Sequence, residues 1–463
     1  MKNRKSEQEI LIENIQSKVV ELVNKNKLTK ARRVLLTLNA VDMANVLEEI
    51  SKDKIIKVFR MLPKHIATET FAYISSELQQ YVIQKITDKE ILDIVDELFF
   101  DDTMDLLEEM PANIVKKILK NTDFERRKLI NQFLQYPENS AGSLMTIEYV
   151  DLESNMTVEE AIQHIRNTGL DKETINTCYV IRNNRELEGI VSIRRLILSD
   201  SREQIYNIME KNVIFANTIE DRENVARLFK KYNHTSLPVV DNENRLVGII
   251  TVDDIVDVIE VETTEDFQKM AAMTPSEKEY LKTHVVELSA KRIMWLLILL
   301  VSSTVSAYII RGYQSILLAN AFLSEYIPTI MNTGGNAGSQ SSTLIIRGMA
   351  VDEIRQRDVL RVLFKEFQVG LMTGIVLGLF NFCRLYYFER LVLGAQIPLM
   401  GTLSICISIC MVVTVSKITG ALLPFGAMAA KLDPAIMAGP LVSTIVDAIA
   451  LTIFFRASSM LIH

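Results

Sequence analysis

Residues 438–455, AGPLVSTIVDAIALTIFF, decide the class of this protein. A run of this length and apolarity reads as a helix that can cross a bilayer, whose hydrocarbon core is about 30 Å thick. It holds one charge, Asp447. A carboxylate at membrane depth costs about 3 kcal/mol on insertion scales, so it turns toward a partner or a water-filled path. Ser443 and Thr444 precede Asp447 by four and three residues, which places all three on one helical face. The residues alone leave two readings: an acid held by hydrogen bonds inside a helix bundle, or an acid that takes part in ion or proton passage.

The chain outside that run is divided in the same way. Residues 292–463 are mostly apolar and residues 1–291 are rich in charge, a contrast that reads as a soluble region followed by a membrane domain. At 463 residues there is room for three or so domains. Five apolar segments, 292–318, 319–346, 369–388, 399–424 and 435–456, predict five transmembrane helices. The stretch 347–365 carries Arg347, Arg355, Arg357, Arg361 and Lys365, so the positive-inside rule makes it cytoplasmic. Counting crossings then puts the soluble region in the cytoplasm and His463 outside. The start MKNRKSEQEI has no apolar core of the signal-peptide kind, which agrees.

Composition removes other classes. A net charge of −7 and the lack of a basic stripe argue against nucleic acid and make a cation the more natural ligand. The four cysteines form no CxxC or Cys/His cluster, so neither zinc nor a disulfide framework is expected. No GxxxxGK[ST] loop is present, which speaks against an ATP-driven pump; the chain reads as a non-enzyme.

The soluble region opens with a repeat. Leu47, Phe59, Phe71, Ile83, Val95, Leu107 and Leu119 recur every twelve residues, and Ile50, Leu62, Ile74, Ile86, Leu98 and Met110 follow the first six by three. Short amphipathic helices of this kind must stack to bury their faces, which predicts an all-α superhelical array of about eight to ten helices. Within it DELFFDDTMDLLEEM gathers Asp96, Glu97, Asp101, Asp102, Asp105, Glu108 and Glu109 without a basic residue. Such a run is usually a solvated face; here it also leaves room for a divalent cation.

From about 140 to 262 strands mix with helices and the pattern occurs twice. Met145 is echoed by Met209, TVEEAIQHI by DRENVARLF, and CYVIRNNRELEGIVSI by LPVVDNENRLVGIITV, with Gly189 and Gly248 at matching places. These copies resemble a tandem pair of CBS domains, a module that often binds adenosine nucleotides. The resemblance makes Thr251 and Asp254 of the second copy the residues that would hold a ribose; the first copy has Ser192 and Arg195 there. A second acid cluster follows: Asp253, Asp254, Asp257, Glu260, Glu262, Glu265 and Asp266. Asp253, Asp257 and Glu260 would share a helix face and repel, which a hard cation held by carboxylates would relieve; an exposed acidic helix is the plainer alternative.

In the second apolar segment Asn332, Asn336 and Gln340 lie four apart and form a polar stripe, with Gly334, Gly335 and Gly338 beside it and Pro328 before it. Tight packing with interhelical amide bonds accounts for such a stripe; beside Asp447 it also suggests a polar conduit. Lys417, in the fourth segment, is expected to snorkel toward a headgroup or the lipid boundary.

The segments PTIMNTGGNAGSQSSTLIIRGMA, TGALLPFGAMAAKLDPAIMAGPLVSTIVDAIAL and TVDDIVDVIEVETTEDF resemble the MgtE family of magnesium channels, in the same order and over essentially the whole chain. The resemblance implies a helical N domain (1–137), CBS domains (138–200 and 201–262), a connecting helix (263–290) and a pore domain (291–463). It implies a homodimer in a plasma membrane, with a hydrated Mg²⁺ at Asp447 from each chain and a pore lined by Asn332, Gly335, Asn336, Gly338 and Ser443. Regulatory Mg²⁺ would be held by Glu69, Asp101, Asp105, Asp221, Glu223, Asp254, Asp257, Glu262, Glu265 and Asp266, closing the pore when internal Mg²⁺ is high; ATP would be a further ligand of the CBS pair. The rival expectations are a proton-coupled divalent cation carrier and a nucleotide-sensing membrane receptor without transport.

Overall fold

The computed structural model describes residues 7–276, 280–281, 283–392 and 397–462. The first six residues and His463, whose side of the membrane was expected from the sequence, lie outside the described residues, as do 277–279 and 282 in the connecting segment. The chain forms two compact units, Met1–Ile259 and Glu260–His463.

In the first unit, α1 (Glu7–Asn24) and α2 (Leu28–Leu35) lead into eight helices: α3 (Ala40–Glu49), α4 (Lys52–Phe59), α5 (Lys64–Ala72), α6 (Ser76–Lys85), α7 (Asp88–Glu97), α8 (Phe100–Glu109), α9 (Ala112–Asn121) and α10 (Phe124–Phe133). Their first residues fall twelve apart, so the sequence period is the structural step. The residue before each helix is Asn39, Ser51, Pro63, Ser75, Thr87, Phe99, Pro111 or Asp123. Asn39, Thr87 and Asp123 accept backbone N–H groups from the first turn, which satisfies donors a helix start leaves free. The repeated positions Leu47 to Leu107 are buried, as are all six of their i+3 companions; Leu119, at the last repeat, is only partly covered.

The same unit continues with α11 (Ala141–Leu144), β1 (Asp151–Glu153), α12 (Val158–Thr168), β2 (Thr177–Ile181), β3 (Leu187–Ser192), α13 (Ile193–Leu198), α14 (Ile205–Ile208), β4 (Ala216–Asn217), α15 (Arg222–Tyr232), β5 (Ser236–Val240) and β6 (Leu246–Thr251). Two three-stranded sheets result, ordered β1-β2-β3 and β4-β5-β6, each with a parallel pair and then an antiparallel one. The copies exchange edges. Thr146, ahead of the first copy, bridges to Ile249 in β6, and Glu210, ahead of the second, bridges to Ile190 in β3. A Cβ on Gly248 would lie 2.6 Å from the Thr146 carbonyl and 2.9 Å from Met145; one on Gly189 would lie 2.8 Å from Met209. The two glycines are therefore required by close approach, and the Met145/Met209 echo marks that exchange.

Helix α16 (Val252–Met270) runs from the first unit into the second. It ends there: Ala272 has a positive φ of 54°, and the next helix, α17 (Val285–Gly312), begins at Val285. Among the described residues of the expected connecting helix over 263–290 are the end of α16, a turn at 271–272 and the start of α17. Ala272 holds the left-handed backbone that ends a helix, a feature composition does not reveal.

The second unit adds α18 (Gln314–Ala319), α19 (Leu323–Ala350), α20 (Val359–Cys383), the π-helical segment Arg384–Val392, α21 (Leu399–Ala429) and α22 (Gly439–Leu461). Among the described residues four helices are long and apolar enough to cross a membrane, within Val285–Gly312, Gln356–Glu389, Leu399–Ala429 and Gly439–Leu461. The fifth expected segment is the 28-residue α19, whose stripe of amides and hydroxyls lowers its apolarity and which packs between α21 and α22. Arg361 and Lys365, expected in a loop, lie on α20.

Small residues bring these helices close. A Cβ on Gly370, Gly374 or Gly378 of α20 would meet the α21 backbone at Thr414, Cys410 or Cys406 within 2.8, 2.7 and 3.1 Å. One on Gly420 would lie 2.1 Å from the Gly338 carbonyl, so α21 and α19 cross in backbone contact.

Candidate functional site

Two regions carry uncompensated carboxylates. In the first unit, α8 begins with Asp101 and Asp102, where the helix N-terminus favours negative charge. The Asp102 N–H donates to Asp101 Oδ1 at 2.9 Å, and the Phe100 N–H donates to Glu148 Oε2 at 3.3 Å. Thr146 Oγ1 also donates to Glu148. Asp254, in the first turn of α16, is fixed by Thr251, whose Oγ1 donates to Asp254 Oδ2 at 2.8 Å. The two residues expected to hold a ribose are thus hydrogen-bonded to each other.

These acids depress one another's ionisation. Burial, then the charges of Asp254, Glu173 and Asp102, pushes Asp101 up to about 9. Burial, then Asp254, raises Asp105 to about 7; burial, then Asp253 and Asp254, raises Glu173 to about 7. Asp254 rises to about 6, mainly through burial and against the Thr251 hydrogen bond. Asp102 is raised by burial and by Asp253 and Glu148. No lysine or arginine ranks among the main influences on any of the five. A cation would relieve the crowding. Among the described residues no three acid, histidine or cysteine side chains converge into a set that could hold a metal ion directly.

The regulatory residues named from the sequence fall in different places. Asp101, Asp105 and Asp254 come together. Glu69 is exposed on α5 and shares the surroundings of Tyr73, whose hydroxyl is raised by burial and then by Asp102, Glu69, Asp253 and Glu173. Asp221 caps α15, accepting the Glu223 N–H at 2.9 Å, and both side chains are exposed. Asp253, Asp257 and Glu260, the expected repulsive face, are exposed too; Asp254 beside them is half-buried. Glu262, Glu265 and Asp266 are half-buried on the part of α16 that belongs to the second unit. There Lys269 pairs with Glu265 and, at 2.7 Å, with Asp433. Glu148 and Glu173 were missed, because only the fold carries these isolated acids toward α8.

The second region is the contact of α19 with α21 and α22. Asn332, Asn336 and Gln340 are exposed along one face of α19, and Asn336 Nδ2 donates to Asn332 Oδ1 at 3.1 Å. One turn around, Ser339 Oγ lies 3.3 Å from Ser443 Oγ and donates to the Gly439 carbonyl at 3.4 Å. A Cβ on Gly335 would lie 3.2 Å from Ser443 Oγ, and one on Gly338 would lie 3.0 Å from Val442 and Val446. Both glycines are buried and set the α19–α22 spacing. Asp447, one turn beyond Ser443, is half-buried and makes no side-chain hydrogen bond or ion pair among the described residues.

Lys417 departs from expectation. It is 6% exposed, and its Nζ donates to Gln340 Oε1 at 3.4 Å instead of reaching a headgroup. The backbone contact of Gly420 with Gly338, one turn along α21, holds the lysine against α19.

Comparison with known proteins agrees with this architecture. A family model described as a divalent cation transporter matches residues 327–457, an intracellular N domain of the same family matches 38–139, and CBS domains match 141–201 and 205–261. The magnesium transporter MgtE of Thermus thermophilus is 35% identical over 93% of this chain and 95% of its own length. That of Bacillus subtilis is 29% identical over 96% and 97%. The crystal structure of the soluble part of a magnesium transporter superposes with a TM-score of 0.51 at 27% identity, covering 54% of this chain and 99% of that one. These matches define a membrane transporter of divalent cations with a CBS pair. The chain belongs to the MgtE family.

Proposed function

We propose that this chain is a Mg²⁺-selective channel of the plasma membrane that closes when cytoplasmic Mg²⁺ is high. The observation that carries the reading is Asp447: an acid on an apolar helix, without a side-chain partner among the described residues, one turn from the Ser443–Ser339 contact. Two such acids facing each other in a homodimer, with the Asn332–Asn336–Gln340 stripe nearby, would hold a hydrated Mg²⁺ through its waters. Mg²⁺ sheds water reluctantly, and conduction needs binding weak enough to release. The names of the relatives support the choice of ion.

Gating follows from the first unit and α16. When internal Mg²⁺ is high, ions screen Asp101, Asp105, Asp254 and their neighbours, with Glu69, Asp221, Glu223, Asp257, Glu262, Glu265 and Asp266 contributing, and the closed arrangement is favoured. When it is low, repulsion opens the cluster. The ion shifts the balance only because it binds one state better. The soluble domains lie in the cytoplasm and the C-terminus outside. ATP at Thr251 and Asp254 would tune the same cluster, since Asp254 belongs to both.

The test is rescue of a magnesium-starved bacterial strain. The wild-type chain restores growth and Asp447→Asn does not; equal rescue by the Asn variant removes the pore assignment. In patches, currents of the Asp254→Asn, Asp257→Asn, Glu262→Gln triple variant stay open at millimolar-order internal Mg²⁺, whereas closure like that of the wild type would move the sensor elsewhere.

A further inference from the structure

Lys417 is a charge at membrane depth that the proposed pore does not use. Ionisable residues inside membrane segments face partners or polar cavities and mark functional positions. Its one hydrogen-bond partner among the described residues is the neutral amide oxygen of Gln340. The groove beside it, about 670 Å³, is lined by Asn336, Ser339, Gln340, Thr343, Leu344 and Lys417. The lysine cannot swing away freely, because the Gly420–Gly338 contact locks α21 to α19 one turn on. The hydroxyl of the preceding residue, Ser416, is buried without a partner among the described residues, a second uncompensated polar group on this stretch of α21.

We infer that Lys417 sets how tightly the ion is held: it is a tethered ammonium on the α21 flank of the polar stripe that weakens the grip on a divalent cation. This rests on the reading of Asp447 as the ion-holding acid. Ser339, in the groove lining, touches the helix that bears Asp447 through Ser443, while Gln340 touches Lys417. An ion on the stripe is thus flanked by one helix that attracts it and one that repels it. Coulomb repulsion scales with ion charge, so a divalent ion feels the ammonium twice as strongly as a monovalent one. The lysine opposes the trapping that a bare acid and amides would produce.

The test uses the full chain in proteoliposomes with Mg²⁺ alone, measuring flux against Mg²⁺ concentration. Lys417→Met and Lys417→Gln each lower the half-saturating Mg²⁺ on the order of tenfold, the combined effect of removing one ammonium from each chain of the dimer in a partly polar medium. Lys417→Arg keeps the wild-type value. The Gln variant retains an amide for Gln340, so it reports even if the Met variant fails to assemble. Wild-type half-saturation in a neutral variant, alongside loss of flux in Asp447→Asn, overturns the inference and leaves a packing role. Normal flux in Asp447→Asn overturns the pore reading instead.

Discussion

The carboxylates of the two units differ in company. Asp101, Asp102, Asp105, Glu173 and Asp254 crowd together, each raised by desolvation and by neighbouring carboxylates. Asp447 stands alone among apolar residues, hydroxyls and amides. Crowded fixed charges make a strong, saturable response to a cation, suited to sensing its concentration. One acid per chain, without neighbouring carboxylates, would give a shallow well, suited to letting the ion leave. In the proposed channel the same functional group would thus serve opposite ends through the number of its neighbours.

The largest expected effect breaks that contrast at its solitary end. Asp447→Asn lowers Mg²⁺ flux in proteoliposomes on the order of a hundredfold, since two lost charges in a dimer each cost a divalent ion on the order of tenfold in occupancy. Asp101→Asn, one member of a crowd, leaves flux at low internal Mg²⁺ near wild type. Comparable losses in both variants would erase the distinction.

Packing comes next. Gly420→Val places a side chain into the Gly338 carbonyl and should destabilise the membrane unit by about 4 kcal/mol or more, seen as loss of folded protein after detergent extraction. Gly426→Ala, on the same helix with nothing near its Cβ, should extract normally.

Two smaller effects sharpen the crowded end. The triple variant Asp101→Asn, Asp105→Asn, Asp254→Asn should raise the chelator-treated Tm by about 3–5 °C, because the uncompensated charges are gone, and should no longer respond to Mg²⁺. The pH dependence has a definite sign. Folded-state values of about 9, 7, 7 and 6 for Asp101, Asp105, Glu173 and Asp254 exceed ordinary carboxylate values. Their contribution is fully present below about pH 4 and lost as pH rises through about 6 to 9. Mg²⁺ at about a hundred times its Kd should therefore add a few degrees to Tm at pH 8.5 and little at pH 5; equal shifts at both would remove the acids from the binding site.

Much of the fold was legible because it is periodic. The twelve-residue spacing of Leu47 to Leu107 is the helix step itself, and the echoed Met145 and Met209 mark matching edges of two similar halves. Asp101, Asp105 and Asp254 were readable from clustering without counter-charges. Glu148 and Glu173 were not, since they reach the cluster only through folding. The break after Met270 escaped because it depends on the backbone at Ala272, a residue with good helix propensity. Lys417 was misread because snorkelling describes a lone helix in lipid, and here α19 supplies an amide before the bilayer edge is reached. The four-residue spacing of Gly370, Gly374 and Gly378, which the sequence reading passed over, marks the α20–α21 contact.

The swapped edges of the paired sheets bear on the order in which the chain can mature. Residues 145–146 await a partner about a hundred positions downstream, and β3 stays open until Met209 and Glu210 have been made. Neither half can close early on the ribosome. The CBS pair therefore completes itself only once synthesis has passed residue 250, shortly before the first membrane-length helix is made.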